Sequence, residues 1–162
     1  MRARAAQAKR FGASGLLAAP GLTGFDALRA MSSDEIMALP VASHPSFLGT
    51  FISDKALAPE LAYGLLPRMA GADLTIFPAF DAGYRMRQDE CVAIAAACTK
   101  SWDPLLPTMP AIGGRIGVDR VSELTRALGR DIAFVLGSRI QQHERGVMAA
   151  VEEFERALAK SS

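Results

Sequence analysis

The sequence has few cysteines, few aromatics and almost no excess charge. Cys91 and Cys98 are its only two cysteines, too few for a disulfide scaffold and consistent with a reducing cytosol, so a cytoplasmic chain is expected. Their spacing matches no zinc pattern and places both on one face of a helix. Aromatic residues make up 7% of the chain, with one tryptophan, Trp102, which argues against stacking platforms for single-stranded nucleic acid. Eighteen Lys+Arg face seventeen Asp+Glu, a formal net charge of +1, so no bulk field draws nucleic acid or an anionic membrane. There is no P-loop, no Gly-x-Ser-x-Gly elbow, no HExxH and no visible carboxylate cluster for a metal. Hydrophobic residues reach 50% and charged residues 22%, a composition that excludes disorder. At 162 residues, the chain has room for one domain with a sizeable core.

The N-terminus carries the basic residues Arg2, Arg4, Lys9 and Arg10 with no acid, and then an uncharged run from Phe11 to Phe25. This imitates a secretory signal, but Gly12, Gly15, Pro20, Gly21 and Gly24 make a poor continuous apolar helix, and the run is shorter than the ~20 residues of a membrane span. A helix ending near Gly12, a strand and a Gly/Pro loop are expected instead, with no membrane association.

Short apolar runs begin near positions 15, 38, 74, 108 and 132. Gly15–Pro20 and Leu39–Ser43 read as buried strands, the first on both faces, and Leu74–Pro78, Thr108–Ile112 and Asp131–Leu136 read as the third, fourth and fifth strands. Helical sequence separates them: Phe25–Met31, Pro59–Ala70 with Leu61, Leu65 and Met69 on one face, Gln88–Lys100 with Cys91, Ile94 and Cys98 on one stripe, and Val118–Leu128. A last helix is expected from about Gln142 to Ala159. Alternating β and α elements imply an α/β fold with a parallel sheet. Two architectures fit: a complete five-stranded doubly wound sheet, or part of a (β/α)8 barrel, which needs eight strands and about 250 residues.

Either architecture binds ligands where strands end. Ser43-His44-Pro45 ends the second strand, and His44 there can hydrogen-bond a substrate oxygen or act as acid or base. Gly113-Gly114 follows the fourth strand and Gly137-Ser138 the fifth. Glycines in consecutive strand-end turns let backbone N–H groups approach a phosphate, with Arg115 or Arg139 as counter-charges. Asp81 and Arg85 occupy the longest strand-end loop and are candidates for substrate contact. His143 reads as a solvated residue at the start of the last helix, Asp119/Arg120 as part of a solvated helix face, and Asp73 as structural because it precedes its strand.

Four stretches together resemble a known family: Leu17–Leu28 (LAAPGLTGFDAL), Leu39–Gly49 (LPVASHPSFLG), Arg68–Pro78 (RMAGADLTIFP), and Pro110–Gly114 (PAIGG) with Leu136–Ser138 (LGS). In order and spacing they resemble strands four to eight of the RuBisCO large-subunit barrel, most closely that of the RuBisCO-like proteins. The resemblance implies a partial (β/α)8 TIM barrel over residues 1–162, without the family's N-terminal α+β domain and first barrel strands. It implies a phosphorylated keto-sugar or sugar-acid substrate, enolisation, and Mg2+ whose ligands lie outside this chain. By the same resemblance, His44 matches the substrate-contacting histidine of strand five, while Gly113, Gly114, Gly137 and Ser138 match the phosphate site.

Several positions depart from the carboxylating enzymes. The loop Ala79–Arg87 has no lysine, and Arg85 and Arg87 are its only bases. Pro45 stands where those enzymes have an arginine, Ile76 where they have a histidine, and Ile112 where they have a serine. CO2 fixation is therefore not expected. Isomerisation, decarboxylation or transcarboxylation of a related sugar phosphate remains, as does a non-catalytic phosphate-binding module or an inert truncated fragment. The expected partner is the missing N-terminal part or a second copy in an oligomer.

Overall fold

Short apolar runs punctuated by glycine and proline make short strands, and the strands set the architecture. In a computed structural model describing residues 1–161, they are β1 (Leu16–Ala18), β2 (Val41–Ser43), β3 (Leu74–Pro78), β4 (Met109–Gly113) and β5 (Ala133–Val135). All neighbouring pairs are parallel, in the order β1-β2-β3-β4-β5. A doubly wound sheet reverses its order at a switch point. This one never reverses, so right-handed crossovers carry the connecting helices along one face, as in a barrel wall.

The register separates the two faces. Val41, Thr75, Phe77, Ile112 and Phe134 point to the helices, and the first four of these are fully buried. The other face carries Leu17, Ala42, Leu74 and Met109 in one row, with Ile76, Ala111 and Ala133 in the next. It is apolar yet open: Leu17 is 62% exposed and Met109 44%.

The helices are α1 (Arg2–Arg10), α2 (Pro20–Thr23), α3 (Phe25–Ser32), α4 (Leu66–Met69), α5 (Gln88–Thr99), α6 (Val121–Leu128), α7 (Ser138–Gln141) and α8 (Gly146–Lys160). The expected loop after β1 is thus a short helix, and the last helix starts at Gly146 rather than near Gln142. One core cluster joins Phe77, Ile112, Ile94, Cys91, Cys98 and Leu124 beneath β3 and β4. A second joins Leu28, Met31 and Val41 beneath β1 and β2.

The stretch before β3 departs most from expectation. Glu60–Leu65 is a π-helix running into α4. Its buried face is Ala62, Tyr63 and Gly64, whereas Leu61 and Met69 of the expected stripe are exposed. Pro67 explains the shift. It has no N–H for the carbonyl four residues back, at Tyr63, and its ring crowds that carbonyl. The Thr75 hydroxyl donates to the Tyr63 carbonyl instead, at 2.6 Å.

Two polar groups tie the ends of the strands opposite to their C-terminal tips. Asp73 accepts from the Val41 N–H at 2.8 Å, its own N–H donates to the Val41 carbonyl, and its carbonyl accepts from Met109. It is structural, as its position implies. Arg68, only 4% exposed, donates to the carbonyls of Ala97, Lys100, Leu105 and Leu106. Its charge thus caps the C-terminus of α5, the end that favours a cation.

Candidate active site

The C-terminal ends of β2, β3 and β4 open onto one cavity of about 490 Å³. His44, Gly113 and Gly114 line it together, with Ser46, Tyr63 and Tyr84 among the other walls. The strand-end residues singled out in the sequence therefore converge at β2 and β4.

His44 follows β2 directly and is half-buried. Its N–H donates to the Ala18 carbonyl at 2.7 Å, which fixes the backbone across to β1. The Ser46 N–H donates to His44 Nδ1 at 3.1 Å, and the Ser46 hydroxyl lies 2.8 Å from the same nitrogen. With Nδ1 accepting, the neutral ring carries its proton on Nε2. That nitrogen has no protein partner among the described residues and is the one available to a ligand.

Gly114 has φ +101°, and a Cβ there would lie 2.7 Å from the Tyr84 ring. Both the backbone conformation and the packing demand glycine. Gly113 differs: a Cβ would make ordinary contact, 3.4 Å from Val135. The backbone around the cavity is also strained elsewhere. Of the four non-glycine residues with positive φ among the described residues, Phe47, Asp81 and Arg115 sit in the loops after β2, β3 and β4. Such conformations cost of order 1–3 kcal/mol each and cluster at ligand sites.

The other expected site residues lie elsewhere. Gly137 and Ser138 are exposed just beyond Val135, the β5 residue on the cavity wall, and do not line it. The Gly137 carbonyl accepts from Ile140 and Gln141, and so begins α7. Arg85 is exposed in its loop and also lies outside the lining. Arg87 is engaged at α5, where its guanidinium pairs with Asp89 and Glu90 and holds the Asp89 carboxyl below its usual range through a side-chain hydrogen bond. Arg139 lines a separate cavity of about 570 Å³ beside α8.

Two residues read as solvated are instead built into the fold. Arg120 donates to the carbonyls of Phe80 and Asp81, pairs with Glu123 at 2.6 Å and stacks over the Phe80 ring at 5.1 Å. It clamps the base of the loop after β3. His143 is half-buried in a turn before α8, with Nε2 3.3 Å from a Glu153 oxygen, while Arg145 pairs with the same carboxylate. Sequence periodicity gave no sign of Tyr63 and Tyr84, the only two tyrosines in the chain. Only Tyr84's place in a strand-end loop was a signal.

The donor set does not fit the family's magnesium. Mg2+ takes hard oxygen ligands, chiefly carboxylates and water, and no Asp or Glu lines the cavity. Among the described residues no group of three His, Cys, Asp or Glu is placed to hold a metal, and no helix is long and apolar enough to cross a membrane.

Comparison with known proteins agrees with the fold. The chain is 32% identical over 132 residues to ribulose bisphosphate carboxylase-like protein 1 of Rhodopseudomonas palustris, covering 82% of this chain and 34% of that protein. The chain belongs to the RuBisCO-like protein family and corresponds to its C-terminal part. It is 29% identical over 160 residues to a 2,3-diketo-5-methylthiopentyl-1-phosphate enolase of Geobacillus kaustophilus, covering 98% of this chain and 39% of that one. The structure of a RuBisCO-like protein from Alicyclobacillus acidocaldarius superposes with a TM-score of 0.89 at 25% identity, over 99% of this chain and 41% of that one. No family model matches the chain. The chain thus spans between a third and about two-fifths of these RuBisCO-like relatives, and its five parallel strands form the C-terminal portion of the barrel.

Proposed function

We propose that this chain is the phosphate-binding C-terminal part of a RuBisCO-like barrel that enolises a phosphorylated keto-sugar or sugar acid. Residues 1–162 then form one barrel part, completed by an N-terminal portion or by a second chain. The observation that carries this reading is the convergence of His44, Gly113 and Gly114 on one cavity at the strand ends. The substrate in the name of the Geobacillus relative, a phosphorylated diketone, belongs to the same chemical class.

The chemistry follows from the groups present. No Lys, Arg, Asp or Glu lines the cavity, so an anion there is held by backbone N–H groups, and the Gly113-Gly114 turn gives them room. Gly137 and Ser138, just past the rim, extend the cradle once β5 is covered, and Arg85 reaches the ligand only if its loop folds inward. His44 Nε2–H is the donor for the carbonyl oxygen. A hydrogen bond there stabilises the negative charge that grows on that oxygen as the α-proton leaves. Ile76 on the cavity wall supplies no polar group, which sets this site against carboxylation, while Ile112 is buried in the helix-side core and does not face the ligand. Magnesium belongs to the family, and its ligands are not in this cavity.

The test is calorimetric titration of inorganic phosphate into the whole chain and into Gly113→Ala, whose new methyl meets only ordinary contacts. Binding should weaken at least about tenfold while the melting temperature holds, since the methyl stands between the ligand and the backbone. Equal affinity in both proteins rejects the glycine cradle. A non-catalytic binding module is the second reading, favoured by the lack of any carboxylate in the lining. Under either reading the chain alone shows no turnover. Mg2+-dependent proton exchange on 2,3-diketo-5-methylthiopentyl-1-phosphate by the chain alone contradicts that.

A further inference from the structure

The Tyr63 ring is packed into the core, 5% exposed as a residue, and its phenolic oxygen makes no hydrogen bond to the described residues. Ser43 Oγ, Thr108 Oγ1 and Thr125 Oγ1 are the enclosed side-chain oxygens without a partner among the described residues, and the Tyr63 oxygen is not one of them: it reaches open space. The residue lines the His44 cavity. Its oxygen lies over Gly49, where an added Cβ would come within 3.0 Å of it, so a small residue at the cavity wall leaves space around the hydroxyl.

The surrounding fold holds this side chain in place. Tyr63 sits in the π-helix forced by Pro67, and its carbonyl is gripped by Thr75 of β3. The neighbouring Gly64 packs so closely on α5 that a Cβ would lie 2.9 Å from Ala97. Widened turns of this kind recur at functional sites because they redirect a side chain without breaking the helix. Burial also raises the phenol above its ordinary titration range, which keeps it a neutral donor.

We propose that the Tyr63 hydroxyl donates a hydrogen bond to an oxygen on the carbon chain of the phosphorylated ligand, apart from its phosphate, and so acts as a specificity-determining residue. The proposal rests on the phosphate reading of the cavity. It predicts that Tyr63 distinguishes a keto-phosphate from phosphate alone.

The experiment compares inorganic phosphate with dihydroxyacetone phosphate, titrated into the whole chain and into Tyr63→Phe. Phosphate affinity should be the same in both proteins. Dihydroxyacetone phosphate should bind about tenfold more weakly to Tyr63→Phe, the value of one hydrogen bond. The melting temperature should not fall, because the hydroxyl bonds nothing in the protein. A structural role is separated by 3-fluorotyrosine labelling, which gives two resonances, with Tyr63→Phe assigning one. The Tyr63 line should move with dihydroxyacetone phosphate and stay with phosphate. If Tyr63→Phe keeps wild-type affinity for the keto-phosphate, or its line is still when the wild type binds, the Tyr63 assignment is overturned and the phosphate site stands. If the wild type binds neither probe, the phosphate reading falls and the Tyr63 assignment with it.

Discussion

Thr75 shows how one hydroxyl carries the consequence of a proline elsewhere. Pro67 has no N–H to give the Tyr63 carbonyl, and Thr75, fully buried in β3, donates its hydroxyl to it. Thr75→Val keeps the shape and removes that donor. Losing this buried hydrogen bond should cost about 1 kcal/mol, seen as a lower denaturant midpoint with an unchanged slope. The cysteines make a second residue-scale case. Cys91 and Cys98 are wholly buried in α5, and desolvation pushes their thiols from near 9 up to about 11 and about 12. Above pH 9 the unfolded chain releases both protons while the folded chain retains them. Stability is therefore full below pH 9 and is lost as pH rises toward 11–12. Urea titrations at pH 8 and pH 10.5 should show the drop, and a Cys91→Ala/Cys98→Ala variant should show a flatter alkaline slope.

At the scale of elements, Arg68 couples α4 to the end of α5. Its guanidinium is the shared donor for four carbonyls across Ala97–Leu106. Arg68→Met fills similar space but strands those acceptors. With charged hydrogen bonds worth about 1.5–3 kcal/mol each, the loss should exceed about 3 kcal/mol, and hydrogen exchange should quicken first in the last turn of α5. Most of the element order was legible because apolar period and glycine stops agree: β3 over Leu74–Pro78 and α5 with its Cys91–Ile94–Cys98 stripe lie where patterning places them. What was hidden came from long-range effects. The π-helix needs both Pro67 and Thr75, eight positions apart in sequence, so a period of 3.6 chose the Leu61–Met69 face and missed Tyr63. Strand ends pointed to His44, Gly113 and Gly114, because parallel strands deliver their C-termini to one side. Arg120 and His143 look solvent-facing in the sequence because their partners, the Phe80 and Asp81 carbonyls and Glu153, are distant in sequence or on another element.

Taken whole, the molecule has a barrel wall with one covered face and one open face. The helix side buries Phe77, Ile112 and Leu124 completely, while across the sheet Leu17, Met109 and Val135 stand 62%, 44% and 43% exposed. In a closed barrel that inner face is filled by side chains of the remaining strands. Here it is an apolar surface in contact with water, larger in kind than the scattered exposed hydrophobics of an ordinary monomer. The native chain should therefore enhance the fluorescence of an apolar dye such as anilinonaphthalene sulfonate while its near-ultraviolet circular dichroism shows fixed packing, a combination a molten state does not give. Leu17→Lys/Met109→Lys should abolish most of that enhancement with little change in melting temperature, because neither side chain belongs to the helix-side core. If the dye signal persists in the double variant, the exposed surface lies elsewhere. If the wild type gives none, the inner face is already covered in solution. Sedimentation velocity on the same sample would then show whether a second copy does the covering.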